Sequence, residues 1–330
     1  MQFKIVPTRK ANSQILAHTI KLKDLVIRKG KVLNKEHLSI LIKNRINEIY
    51  VAILQKEDYP ENISADLIAK HICSKKLFNI IVSNGRADIY SRLKGVLNID
   101  EKKLLRINEK NQDIAICSIK NYSVIKEGQL VGNVKVLPYA ISKRNILKIT
   151  NDKTIKKIFH IAKKTINKVG IIFTSNDIKI NKEEKILKTI NLRLENFNLK
   201  VNHKKRCKHN HKILALAIKE ILKKNIDLIL IYGETSISDI NDVVPKSIAT
   251  IKGKVISSIM PTDPGNLLLI GSIGNTTIIG VPGCAKSLKR NGFDDILERV
   301  CHGEKFNKKK IAEIAVGGLY KNLIRKIEKD

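Results

Sequence analysis

The sequence predicts an α/β protein, with a mostly parallel sheet covered on both faces in its C-terminal part and a smaller α+β region before it. Three observations predict this. From residue 158 onward, short apolar runs alternate with longer polar segments of helical period, the strand-helix-strand rhythm of a parallel sheet. Those runs are apolar throughout, as strands buried on both faces are. Residues 1–150 instead mix short strands and helices without that rhythm.

The elements follow in order. His18–Leu33 alternates and turns at Lys29-Gly30. Asn34–Ile46 carries Leu38, Leu41, Ile42 and Ile46 at helical spacing behind Asn34, a capping residue. Glu48–Leu54 reads as a strand, Ser64–Cys73 as a helix, and Gly128–Ile141 as β structure with Gly turns and a Pro. Ser142–Lys157 is polar, contains a short helix and is expected to hold the boundary, giving regions 1–150 and 158–330. Beyond it come strand Val169–Thr174, helix Asn181–Phe197, strand Asn198–Lys204, helix His209–Asn225 and strand Asp227–Tyr232. A short helix near Val243–Ala249 follows, then two strands flanking "PTDPG" and the apolar strand Thr276–Val281. Helices over Asp294–Cys301 and Lys308–Ile327 close the chain.

Composition narrows the function. A chain of 330 residues can bury sizeable cores, and 43% hydrophobic with 28% charged residues reads as soluble and globular. No apolar run approaches the roughly 20 residues of a membrane span. The N-terminus lacks an apolar core before a cleavage site, so no secretory signal is expected. Five scattered Cys suit a reducing cytoplasm, not a disulfide framework. The net charge of +32 raises nucleic-acid binding as a reading. Against it, Lys far outnumbers Arg, the Lys are spread along the chain, and aromatics are 4% with no Trp. Capture of a small polyanion is the better use of such a field.

Three apolar strands end in polar or Gly-rich loops: "TSND" (Thr174–Asp177), "GETSISDIND" (Gly233–Asp242) and "PGCAKS" (Pro282–Ser287). Parallel strands would put all three on one sheet edge, where open α/β sheets bind ligands. Glycine lets backbone approach a ligand, and N–H groups at a helix start attract anions. Thr235, Ser236 and Ser287 can donate to phosphate, while Asp239 and Asp242 can hold a cation or accept from ring N–H groups. The alternative for each loop is a surface turn, with Ser238, Asp239 or Asp242 as a helix cap.

At these loops the chain resembles the molybdopterin-binding domain of molybdenum-cofactor biosynthesis proteins. "TSNDI" stands where that family has a Thr-Gly-Asp-Glu loop, "GETSISDINDVVP" where it has a Gly-Gly loop with an Asp before a helix, and "PGCAKS" where it has a Pro-Gly-Asn-Pro-x-Ser turn. "DPGN" (Asp263–Asn266) resembles the Pro-Gly segment upstream. "IRKGKVLNKEHLSILIKNRINEIYVAIL" is similar to the segment before the binding domain in molybdopterin molybdenumtransferases. "GQLVGNVKVLPYAI" is similar to bacterial molybdopterin-binding proteins, some of them fused to a cytidylyltransferase. The resemblance implies a three-layer α/β/α domain that binds molybdopterin or its adenylate, with molybdenum transfer as the activity if there is one. It implies ligand contacts from Thr174, Gly233, Thr235, Ser236, Pro264, Gly265, Pro282, Gly283 and Ser287. Asp242, Asp239 and Asp177 would be the catalytic carboxylates, with Mg²⁺ held by Asp242 and Asp177. The other reading is a non-catalytic carrier that serves a cytidylyltransferase or a molybdoenzyme, either one as a homo-oligomer. Three departures bear on that choice: Asn176 stands in place of an acid, Glu234 in place of the second Gly, and Cys284-Ala285 in place of Asn-Pro.

Other candidates are weaker. "CKHNH" (Cys207–His211) lacks the paired spacing of a zinc site, and Asn210 there reads as a helix cap. Cys284 is either a reactive thiol or a small turn residue. Arg86 beside a Gly turn, and Lys286, Lys289 and Arg290, could each face an anion or only solvent; His18 reads as a packing or surface residue.

Overall fold

The computed structural model describes residues 1–176 and 180–320. The chain forms two compact units, Met1–Ala162 and Lys163–Asp330.

The first unit is α+β. Its strand Glu48–Ile53 pairs with Gln2–Pro7 and Ile15–Leu16 in a three-stranded sheet. Helix α1 (Lys35–Lys43) adds Leu38 and Leu41 to the small core there. Asn34 caps α1 as its sequence predicts, accepting from His37 N–H, with the His37 ring accepting in return. A larger core lies under a four-stranded antiparallel sheet (Ile114–Ser118, Leu130–Val136, Arg86–Ser91, Phe78–Ser83). Helices α2 (Glu61–Ile72), α3 (Glu101–Lys110) and α4 (Lys143–Thr150) all contribute to it. α2 starts before its expected residue because Pro60, with its fixed φ, precedes Glu61. The polar segment Ser142–Lys157 lies inside this unit, since α4 buries Ile146 and Ile149.

The second unit is the three-layer α/β/α arrangement. Its six strands are β1 (Val169–Thr174), β2 (Val201–Cys207), β3 (Leu228–Tyr232), β4 (Lys254–Ser257), β5 (Leu269–Ile273) and β6 (Thr276–Gly280). They are ordered β2-β1-β3-β6-β5-β4. β2, β1, β3 and β6 run parallel, and β5 and β4 pair antiparallel at one edge. Side chains alternate across this sheet, so each buried strand feeds two cores. Val169, Ile171 and Phe173 face α5 (Ile180–Glu195) and α8 (Gly292–Cys301), while Ile172 faces α6 (His211–Leu222) and α7 (Val243–Thr250).

Three expectations move. Strand Asn198–Lys204 shifts to Val201–Cys207 as an edge strand of alternating exposure. Helix His209–Asn225 contracts to His211–Leu222 because Asn210 caps it. The helix expected over Lys308–Ile327 becomes α9 (Lys308–Ala312) and a 3₁₀ turn, Glu313–Ala315. Gly317 then adopts φ +89, a left-handed conformation that ends the run; residues 321–330 lie outside the described residues.

Candidate functional site

β1, β3 and β6 are neighbours and parallel, so the loops after them leave the same edge of the sheet. The register sets Phe173 beside Tyr232, which makes Thr174 and Gly233 the paired exits of two loops. Ile237 is buried under the middle loop. A Cβ on Gly280 would come within 2.5 Å of the Ile237 side chain, so glycine at the end of β6 is what lets the middle loop fold down there.

A fourth strand end joins them. β2 also runs parallel, and its exit carries His209 one residue before the cap of α6. His209 Nδ1 lies 2.7 Å from Thr174 Oγ1, and its Nε2 lies 3.1 Å from Thr235 Oγ1. Thr174 Oγ1 also accepts from Glu234 N–H at 3.3 Å. The tautomer with its proton on Nε2 satisfies this chain, with Thr174 donating to Nδ1 and Nε2–H donating to Thr235. Sequence reasoning missed His209 as a member of the site. The available signal was its position at the carboxyl end of a strand in the parallel series.

Glu234 reaches the first loop. Asn176 N–H donates to its Oε2 at 3.1 Å, so a side-chain carboxylate covers backbone that an anionic ligand would use. The last loop approaches the middle one through Gly283, where an added Cβ would sit 3.9 Å from Ser236 Oγ. Pro282 is buried, whereas Thr235, Ser236 and Ser287 are exposed.

The described acids, Asp239 and Asp242, are bonded within the middle loop. Asp242 Oδ2 accepts from Ser238 N–H at 2.6 Å, from Asp239 N–H at 3.0 Å and from Ser238 Oγ–H at 3.2 Å. These donors hold its carboxyl below the usual value, backbone N–H groups foremost in lowering it. Asp242 stands at the N-cap of α7 without a side-chain bond to the helix; it clasps the loop before it. Asp239 Oδ1 accepts from Asn241 N–H at 2.6 Å. Asp177 lies outside the described residues. Among the described residues no group of three or more His, Cys, Asp and Glu is arranged to hold a metal ion. Of the two acids the resemblance assigns to Mg²⁺, the described one, Asp242, commits its Oδ2 to its own loop.

Pro264 and Gly265 lie against the start of α8. Gly292 N–H donates to Pro264 O at 3.0 Å. Gly265 has φ +122, and a Cβ there would meet Gly292 N at 2.8 Å. Asp263 exchanges backbone bonds with Gly318 and Tyr320. Burial pushes the Cys284 thiol up, so it is no activated thiolate. Among the described residues Cys207–His211 joins no metal cluster; Asn210 Oδ1 caps α6 by accepting from Lys212 and Ile213 N–H.

A second residue missed from the sequence is Arg193 of α5, which is 5% exposed. Its Nε donates to Asp294 Oδ1 at 2.7 Å, Nη1 to Ala285 O at 3.1 Å and Nη2 to Ser287 O at 2.5 Å. It fixes the last loop against α5 and α8. Arg290 pairs with Asp295 and Glu298, and Arg86, in the first unit, with Asp88.

Neither a family model nor a curated protein matches the chain. Among solved structures, it is similar to the molybdopterin biosynthesis Mog protein from Mycobacterium ulcerans at 19% identity and TM-score 0.29, over 41% of this chain and 92% of that one. It is similar to a molybdenum cofactor biosynthesis protein B at 18% identity and TM-score 0.31, over 46% and 94% of the two chains. A molybdenum cofactor biosynthesis protein from Pyrococcus furiosus matches at 12% identity and TM-score 0.26, over 92% of this chain and 66% of that one. These three structure neighbours are molybdenum-cofactor biosynthesis proteins.

Proposed function

We propose that this chain binds molybdopterin or its adenylate at the carboxyl edge of the second unit's sheet, as a protein of molybdenum-cofactor biosynthesis. One observation carries the reading: the three loops whose motifs resemble the family's leave adjacent parallel strands β1, β3 and β6. Edges of this kind collect backbone N–H groups and hydroxyls for an anionic ligand. Thr235, Ser236 and Ser287 supply the hydroxyls, and Gly283 leaves open space beside Ser236 where the last loop faces the middle one. Thr174 positions His209, which in turn positions Thr235.

Binding without chemistry is favoured over molybdenum transfer. Asp239 and Asp242 are bonded within their loop, Asn176 replaces an acid, and Glu234 brings a negative charge to the ligand's approach. Such a chain would present the cofactor to a cytidylyltransferase or a molybdoenzyme. No step of the proposal runs through Mg²⁺. The test is to give the purified chain adenylated molybdopterin and molybdate, then separate bound from free ligand. Retention of intact adenylate is expected. Release of AMP with loaded cofactor would establish transfer instead, and failure to retain the ligand would remove the proposal altogether.

A further inference from the structure

The first unit contains a cavity of about 280 Å³ between α3, α4 and the turn after α4. Nothing in the reading of the sheet edge uses it. Three cations line it, Arg106 and Lys110 from α3 and Lys148 from α4, against a single carboxylate, Asp152. Asp152 is largely committed elsewhere. Its Oδ1 accepts from Thr154 N–H at 2.8 Å and from Thr154 Oγ–H at 2.5 Å, and its backbone carbonyl lies 3.1 Å from His71 Nε2. Arg106 stands 3.7 Å from its other oxygen, a loose pair on two part-exposed side chains, and its Nη1 donates to Thr154 Oγ1 at 3.3 Å. Among the described residues, Lys110 and Lys148 enter no ion pair.

A lysine in the last turn of a helix is explained by the helix dipole, and Lys110 and Lys148 both sit there. The dipole does not explain why two helices aim their terminal cations at one concavity. Like charges around a recess with an apolar wall repel one another and focus a positive field into it. Here that wall is Ile107, Ile149 and Ile155, all buried. The amide of Asn111 spends its N–H on Ile107 O at 2.7 Å and leaves its oxygen as an acceptor. The recess therefore offers a guanidinium held by weak contacts to Thr154 and Asp152, two ammonium groups, an amide acceptor and an apolar floor. Its volume is just below the roughly 300–1,000 Å³ of small-ligand pockets, enough for a small ligand.

We infer that this cavity binds a small phosphate monoester with an apolar or flat body, of mononucleotide size. The phosphate would sit among Arg106, Lys110 and Lys148, where Arg suits bidentate contact with phosphate oxygens. The body would lie on the isoleucine floor.

The experiment is calorimetric titration of the full chain with uridine 5′-monophosphate, uridine and inorganic phosphate. The variants are Arg106→Gln, Lys148→Gln and, at the other unit's sheet edge, Gly283→Leu. The monophosphate is expected to bind at least tenfold more tightly than either part alone. Arg106→Gln and Lys148→Gln are each expected to weaken it about tenfold, and Gly283→Leu to leave it unchanged. Both substituted side chains are exposed, so an unchanged melting temperature should accompany the loss. Equal affinity for phosphate and the monophosphate, or full binding by both glutamine variants, would overturn the inference. Loss of binding in Gly283→Leu alone would also overturn it by moving the ligand to the sheet edge.

Discussion

Asp242 carries three donors on one carboxylate oxygen, all from Ser238 and Asp239. Charge-assisted bonds of this kind are the stronger ones, and solvent at this exposed loop screens them in part. Asp242→Ala should lower stability by about 1–2 kcal/mol at neutral pH. The pH dependence follows from the direction of the shift. The folded carboxyl is depressed below its ordinary value of 3.8, so the unfolded chain takes up its proton first as pH falls. The stabilisation is complete above that value and disappears as pH drops through the folded one. Denaturant unfolding of both proteins at neutral pH, and again well below 3.8, should show the difference closing. A difference that persists in acid would mean that packing, not charge, is what Asp242 supplies. The sequence makes this residue visible as an acid before a helix. Whether it caps, clasps or binds metal depends on where Ser238 and Asp239 point their N–H groups, which local pattern does not encode.

Among the elements, α5 shows most plainly what a period reveals and what it hides. Ile186, Ile190 and Leu194 mark its buried stripe, and Arg193 falls beside Leu194 on the same face. A cation on an apolar stripe signals a partner, but the partners lie near residues 285–294, far along the chain. Arg193→Met keeps the bulk while removing the guanidinium from Asp294 and from the Thr189, Ala285 and Ser287 carbonyls. It should lower stability by about 2–4 kcal/mol, because unpaired buried polar groups are costly. Amide exchange at Ala285–Ser287 should speed up with it; protection equal to wild type would show that the loop holds without the clamp. Strands β1 and β3 were legible as uninterrupted apolar runs, and α6 by its Asn210 cap. β2 was less so, because an edge strand alternates and its polar half resembles loop. That is also why His209 was weighed only within the Cys207–His211 motif: its place at the sheet edge depends on β2 running parallel beside β1.

At the scale of the whole molecule, the α/β class follows from the order of elements, and the mostly parallel sheet bears that out. β4 and β5 were read as strands, but their antiparallel pairing is not visible in the apolar pattern, since a strand reads alike in either direction. The net charge of +32 places a positive field around any anionic ligand and would speed its capture at low ionic strength. No helix among the described residues is long and apolar enough to cross a membrane. Against that general attraction, Glu234 is a local repulsion at one sheet edge, and its carboxylate holds the Asn176 N–H. Gly283 is the opposite case, a gap beside Ser236 that a larger side chain would fill.

The central claim is that the ligand sits between these loops. Its most direct test is the equilibrium affinity for adenylated molybdopterin in wild type, Glu234→Gln and Gly283→Leu. Removing the charge should tighten binding about tenfold, equivalent to about 1.4 kcal/mol, and filling the gap should weaken it by at least as much. Affinities that stay equal in all three proteins, with the fold intact, would contradict a ligand site at this edge.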